Sequence, residues 1–127
     1  MKISKFSKID QLLEAQLRLG EVMYTCVKGE ADMPAYVVVD INVNDPAGYE
    51  DYKRLAPPSI DANGGKYLAR GGQTEVLEGD WAPSRLVILQ FDDIEQARKW
   101  LNSSEYSAAR ELRHRTATTN MVVIDGV

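Results

Sequence analysis

Tyr36-Val37-Val38-Val39-Asp40-Ile41-Asn42-Val43, followed at once by Asn44-Asp45-Pro46, decides the fold. The first eight residues alternate. Val37, Val39, Ile41 and Val43 fall on one face of a strand, and Tyr36, Val38, Asp40 and Asn42 on the other. Asp45 before Pro46 then marks a helix start, because a carboxylate can cap the free N–H groups and proline at the first position lacks only a donor that would go unused. Tyr49, Tyr52, Leu55 and Ala56 share one face of that helix. Pro57-Pro58 is expected to kink or break it, and Asn63-Gly64-Gly65 to end it.

Downstream, Lys66–Arg70 reads as a short strand. Gly71-Gly72 permits a bulge or bend, Gln73–Glu78 continues extended, and Gly79–Pro83 is a turn. Arg85–Phe91 is the most hydrophobic strand and is expected at the centre of the sheet. Asp92, with Glu95 three residues on, fits a cap for a helix carrying Ile94, Ala97, Trp100 and Leu101. Ser103 or Ser104 caps a second helix running to about Ala117, and Met121–Ile124 is the last strand. The order is β-α-β-β-α-β with the second helix split. This is the ferredoxin-like α+β pattern, an antiparallel four-stranded sheet with helices on one face. The bare face carries Tyr36 and Val38 and needs cover. A second copy of the chain is the simplest cover, so a homodimer is expected.

Outward from this core, the chain divides near Met33. Its 127 residues, 44% hydrophobic and 27% charged, suit one folded domain and exclude wholesale disorder. Residues 1–32 carry five basic and five acidic groups, so the net charge of −4 belongs to 33–127. Ile9, Leu12, Leu13 and Leu17 predict a short amphipathic helix over about 8–19, and Val22–Val27 a short strand. Met33-Pro34-Ala35 resembles a fresh start, so 1–32 reads as an appended leader; a genuine structural helix is the alternative. No apolar run reaches the roughly 18–20 residues of a membrane span, and Asp10, Glu14 and Arg18 break any signal-peptide core. The lone Cys26 excludes an internal disulfide framework and makes the cytoplasm the expected compartment. An acidic balance argues against nucleic acid as partner.

Several separated motifs carry a family likeness. They are Met33-Pro34-Ala35-Tyr36, Leu55-Ala56-Pro57-Pro58, Gly64-Gly65-Lys66-Tyr67-Leu68-Ala69-Arg70-Gly71-Gly72, and Leu77-Glu78-Gly79-Asp80-Trp81-Ala82-Pro83-Ser84-Arg85. Trp100 with Ser104-Glu105-Tyr106 and the closing Gly126 complete the set. Over about 33–127 the chain resembles the small bacterial family called domain of unknown function 1330, of the dimeric α+β barrel superfamily. The resemblance implies a ferredoxin-like fold and a homodimer whose sheets form a barrel. It implies no established reaction. The superfamily includes cofactor-free oxygenases, haem-degrading enzymes, isomerases and ligand sensors, and fold alone does not choose among them.

The residues themselves offer a short list of chemistry. Gly64-Gly65-Lys66 fails as a phosphate loop, since Ile60 and Tyr67 stand where Gly and Ser or Thr are required. Asp40, mid-strand on the bare face, is either an acid/base group in a pocket, or else part of a partly wet strand face or a carboxylate paired with Arg70 or Arg85. Trp81 is either a lid or dimer contact, or a plug at the end of its own barrel. Arg70 and Arg85 are candidate anion clamps. His114, the only histidine, is a possible general base or a solvated surface residue among Arg110, Arg113 and Arg115. No metal-ligand cluster and no cofactor motif is readable, and a haem on His114 is disfavoured. The expected function is a cofactor-free small-molecule enzyme or binder with a pocket between sheet and helices. The alternative is a non-catalytic homodimeric scaffold or stress-associated ligand sensor.

Overall fold

The structure, a computed structural model, describes residues 33–127. The helix, the strand and Cys26 placed in 1–32 lie outside the described residues, as does the leader reading itself. Strand β1 (Ala35–Val43) leads through Asn44 and Asp45 into helix α1 (Pro46–Ala62). Asp45 caps α1 by accepting from Gly48 N at 3.2 Å, as its place before proline implies. Strands β2 (Lys66–Arg70) and β3 (Leu86–Phe91) follow, then α2 (Ile94–Leu101), α3 (Ser104–Thr116) and β4 (Ala117–Asp125). The sheet order is β2-β3-β1-β4, all neighbours antiparallel. β1 and β3 are central, which is why they carry the most continuous apolar runs.

Alternation along β1 sorts the two faces as expected. Val37, Val39 and Ile41 are buried under the helices with Val87, Leu89 and Phe91 of β3. Tyr52 and Ala56 of α1, Trp100 of α2 and Tyr106 of α3 close the core from above. The Trp100 ring stacks between Phe91 and Tyr106, with centroids 5.5 and 4.3 Å away, and its Nε1 donates to Ser59 Oγ at 3.2 Å. The opposite face stays open. Val38, Leu86 and Ile88 are half-buried there, while Val122 and Ile124 are exposed.

Four local expectations need correction. α1 does not break at Pro57-Pro58 but runs on to Ala62. The prolines lie off the buried face, while Ala56, Ser59 and Ile60 hold that stretch on the core, and Ser59 Oγ bonds back to Ala56 O at 2.7 Å. Packing thereby outweighs two missing donors. The chain bends at Gly71, as expected, and β2 carries a further irregularity between Tyr67 and Ala69. Residues 71–84 form an exposed irregular loop, with no strand across Gln73–Glu78. Asp93 rather than Asp92 caps α2, accepting from Gln96 N at 2.7 Å. β4 begins at Ala117, four residues before Met121, because Thr118–Asn120 pair with β1 despite their polarity. Ser103 caps α3, one of the two serines expected.

Candidate functional site

The five candidate residues do not meet in one place. Because side chains on a strand alternate, Asp40 points to the open face, opposite Val39 and Ile41. Its carboxylate accepts from Trp81 Nε1 at 2.8 Å and from Ser84 N at 3.1 Å. Neither Arg70 nor Arg85 pairs with it, which corrects the ion-pair alternative and leaves the partly wet strand face. The physical reason is the pleat: Arg70 stands opposite buried Val87 in the sheet register, on the helix side. Asp40 thus fastens the 71–84 loop across the open face. With Val38, Trp81, Asn120 and Val122 it borders a shallow hollow of about 210 Å³. Trp81 is 60% exposed on that face, so it does not plug the core of its own chain.

Arg70 and Arg85 belong to a different cavity, between α1 and the inner face of the sheet. Its floor is apolar, formed by Val39, Ile41, Val87 and Leu89. Tyr49, Tyr52 and Ala56 of α1 form the roof, and Lys53, Tyr67, Arg70 and Arg85 the polar part. Its free volume is about 20 Å³, room for water or a group of a few atoms. Arg85 Cζ lies 5.8 Å from the centre of the Tyr49 ring, and Arg70 Cζ 4.7 Å from that of Tyr67. The Arg85 Nε is buried without a hydrogen-bond partner. Burial pushes the Tyr49 and Tyr67 phenols above their ordinary pKa, a rise partly offset by Arg85 and Arg70 respectively. Both therefore keep their protons at neutral pH and can donate hydrogen bonds. Sequence reading missed Tyr49, Tyr52 and Tyr67 as site residues. The usable signal was Tyr49 and Lys53 one turn apart, which sets a cation beside the aromatic face.

Behind Tyr52 lies a polar chain that the sequence did not suggest. Tyr52 and Tyr106 share a hydroxyl–hydroxyl hydrogen bond of 2.7 Å, and Arg113 Nε donates to Tyr106 Oη at 3.2 Å. Arg113 also donates to Thr119 Oγ1. Arg113 is only 4% exposed, so it is not part of a solvated basic face with Arg110 and His114. It sits two turns after Tyr106 on the face of α3 that meets the core, and neutral hydroxyls satisfy its charge. Tyr52 stays protonated far into alkali, chiefly through burial and then through the nearby Tyr106. Arg110 instead serves the end of α2, donating to Asn102 Oδ1 at 3.2 Å. His114 is exposed and lines neither cavity. Its pKa is lowered, first by partial desolvation and then by the Arg113 and Arg110 charges. Among the described residues no three His, Cys, Asp or Glu side chains gather as a metal site. No helix there is long and apolar enough to cross a membrane.

The sheet order, the single helical layer and the open apolar face define the class: an α+β protein of the ferredoxin-like type found in dimeric α+β barrels. The chain belongs to the family described as domain of unknown function (DUF1330), whose sequence profile matches residues 34–127. Among solved structures it is similar to a protein of unknown function from Rhodopseudomonas palustris, with TM-score 0.62, 15% identity, and 78% of this chain and 86% of that one covered. It is also similar to SnoaB, a cofactor-independent oxygenase from Streptomyces nogalater, with TM-score 0.52, 18% identity, and coverage of 74% and 92%. At these identities the likeness is one of fold. No curated protein matches the chain.

Proposed function

We propose that this domain is a homodimeric small-molecule protein whose ligand sits between α1 and the sheet, as a binder or as a cofactor-free enzyme. One observation carries the reading: an apolar cavity into which Arg70, Arg85, Tyr49 and Tyr67 bring hydrogen-bond donors, with the Arg85 Nε left unpaired. Buried donors in native proteins are normally satisfied, so an unpaired one at a cavity marks a place for a ligand or for water. The likeness to a cofactor-independent oxygenase makes chemistry without a bound cofactor the enzymatic form of this reading. The open face supports the dimer: Val38, Ile88, Val122 and Ile124 form an apolar surface too continuous to leave in water. Trp81 and the hollow beside Asp40 then lie in the interface. A lone cysteine outside the family domain fits a cytoplasmic setting. The small free volume favours a second reading, a non-catalytic homodimeric scaffold or stress-associated sensor, in which the cavity holds only water.

A fragment screen by ¹H–¹⁵N chemical-shift mapping separates them. Fragments that move the amides of Val39, Tyr49, Ala56 and Arg85 support the pocket. Shifts confined to the open face, or none from a library of several hundred at millimolar concentration, refute it. Light scattering behind size exclusion tests the dimer, and a monomer at micromolar concentration sinks that part.

A further inference from the structure

We propose that the ligand of the α1–sheet cavity is a compact organic carboxylate, bound by Arg85 and Arg70 with its apolar part against Ile41, Ala56 and Leu89. This rests on the reading that the cavity is the ligand site and names the chemistry it selects. The first support is charge. Lys53, Arg70 and Arg85 line the cavity and no Asp or Glu does, in a chain whose net charge is −4. Lys53 is bridged to Glu50 at 2.9 Å. Among the described residues neither arginine has a carboxylate within 4.0 Å, the other ion pair being Arg54 with Asp51. Two guanidinium groups thus line one cavity without counter-charge, a setting that favours an anion with planar, bidentate oxygens.

The second support is how Arg85 is held. Gly71 has φ +66°, and a Cβ built there would stand 2.2 Å from Arg85 Nη1. The guanidinium therefore lies against bare backbone at Gly71, in space that a Cβ would take from it. The third support is the donors around it. The tyrosine hydroxyls at 49 and 67 remain protonated, so they add donors and no competing negative charge. The apolar floor decides between anions. Inorganic phosphate would leave the floor without a partner. A carboxylate on a short or flat apolar body satisfies both walls once the cavity, with free space of about 20 Å³, opens to admit it.

The test uses the full chain with acetate, pyruvate and benzoate, each beside its neutral amide, and with inorganic phosphate. Calorimetry gives affinity and chemical-shift mapping gives location. The expected result is that at least one carboxylate shifts the amides of Tyr49, Ala56 and Leu89. Its amide should bind roughly tenfold or more weakly, about 1.4 kcal/mol. Arg85→Gln removes that preference. Arg70→Gln, at an exposed position, weakens it without threatening the fold, and Arg98→Gln on α2 leaves it intact. An amide that binds as well as its acid, or phosphate that binds as well as either, overturns the carboxylate assignment and leaves the pocket standing. No binding by any of the acids at millimolar concentration also overturns it. Shifts confined to the open face overturn the assignment and the pocket reading together.

Discussion

Replacing Tyr106 by Phe removes one oxygen, and that oxygen is the junction of the buried polar chain. Arg113 loses the acceptor of its Nε and keeps Thr119, while Tyr52 loses its one hydrogen-bond partner among the described residues. A hydrogen bond to a charged group contributes roughly 1.5–3 kcal/mol and a neutral one about 1. Both stranded groups are buried, so water does not replace what is lost. Tyr106→Phe should therefore destabilise the domain by about 3 kcal/mol, with a Tm drop of roughly 10–25 °C for a domain of this size. Tyr52→Phe removes only the phenol–phenol bond and should cost about 1 kcal/mol. Adding Arg113→Met to Tyr106→Phe removes the under-partnered charge and should recover part of the loss, because a buried ion left with Thr119 alone is worse than an apolar side chain of similar length. Urea denaturation followed by tryptophan fluorescence reads all three. Protein concentration is kept fixed, since self-association makes stability concentration-dependent. Equal losses for Tyr106→Phe and Tyr52→Phe, or a double variant weaker than Tyr106→Phe alone, would refute the view that Arg113 depends on Tyr106.

Three further outcomes follow from named contacts. Gly71→Ala should destabilise by about 1–3 kcal/mol in the same denaturation assay, because it combines a left-handed backbone with a clash on Arg85; a neutral effect would mean the guanidinium is free to move. Asp40→Asn should cost only about 1 kcal/mol, since one of two donors, Trp81 Nε1 or Ser84 N, loses its acceptor at an exposed site. Amide exchange should accelerate in 71–84, and a loss of 3 kcal/mol or more would instead reveal a buried charge partner. For His114 the folded pKa lies below the unfolded one, so the unfolded chain binds the proton more readily. Stability should then fall as pH drops below about 6.5, and the loss is complete once pH passes below the folded pKa. His114→Gln should flatten that slope slightly, and an NMR midpoint for His114 above 6.5 would contradict it.

Most of the architecture is legible in residues that obey one rule at a time. The alternation from Val37 to Val43 and the Asp45-Pro46 start are local signals, and the structure follows them. Pro57-Pro58 misleads because the burial of Ala56, Ser59 and Ile60, a tertiary effect, keeps the helix going. The site was only half legible. The arginines at 70 and 85 could be named from their charge, but which face they served depended on where β2 is irregular and on how the pleat runs into Arg85. Arg113 shows the limit most plainly. Among Arg110, His114 and Arg115 it reads as solvated, although Tyr106 two turns before it and Thr119 six residues on are its partners in the fold.

The sheet order also bears on how the chain is made. β1 is the first strand of the domain to be synthesised, yet both of its neighbours, β3 and β4, come later. Residue 35 must pair with residue 125 before the sheet is complete. At about 5–20 residues per second, the roughly eighty residues between the end of β1 and the end of β4 take some 4–16 s to emerge. For that interval Tyr36–Val43, a β-prone segment whose sole charge is Asp40, lacks at least one of its two neighbours. A carboxylate there interrupts a run of valines that would otherwise suit sticking to another nascent copy. The residue that fastens a loop in the folded domain is also a charge of the kind that breaks aggregation-prone runs.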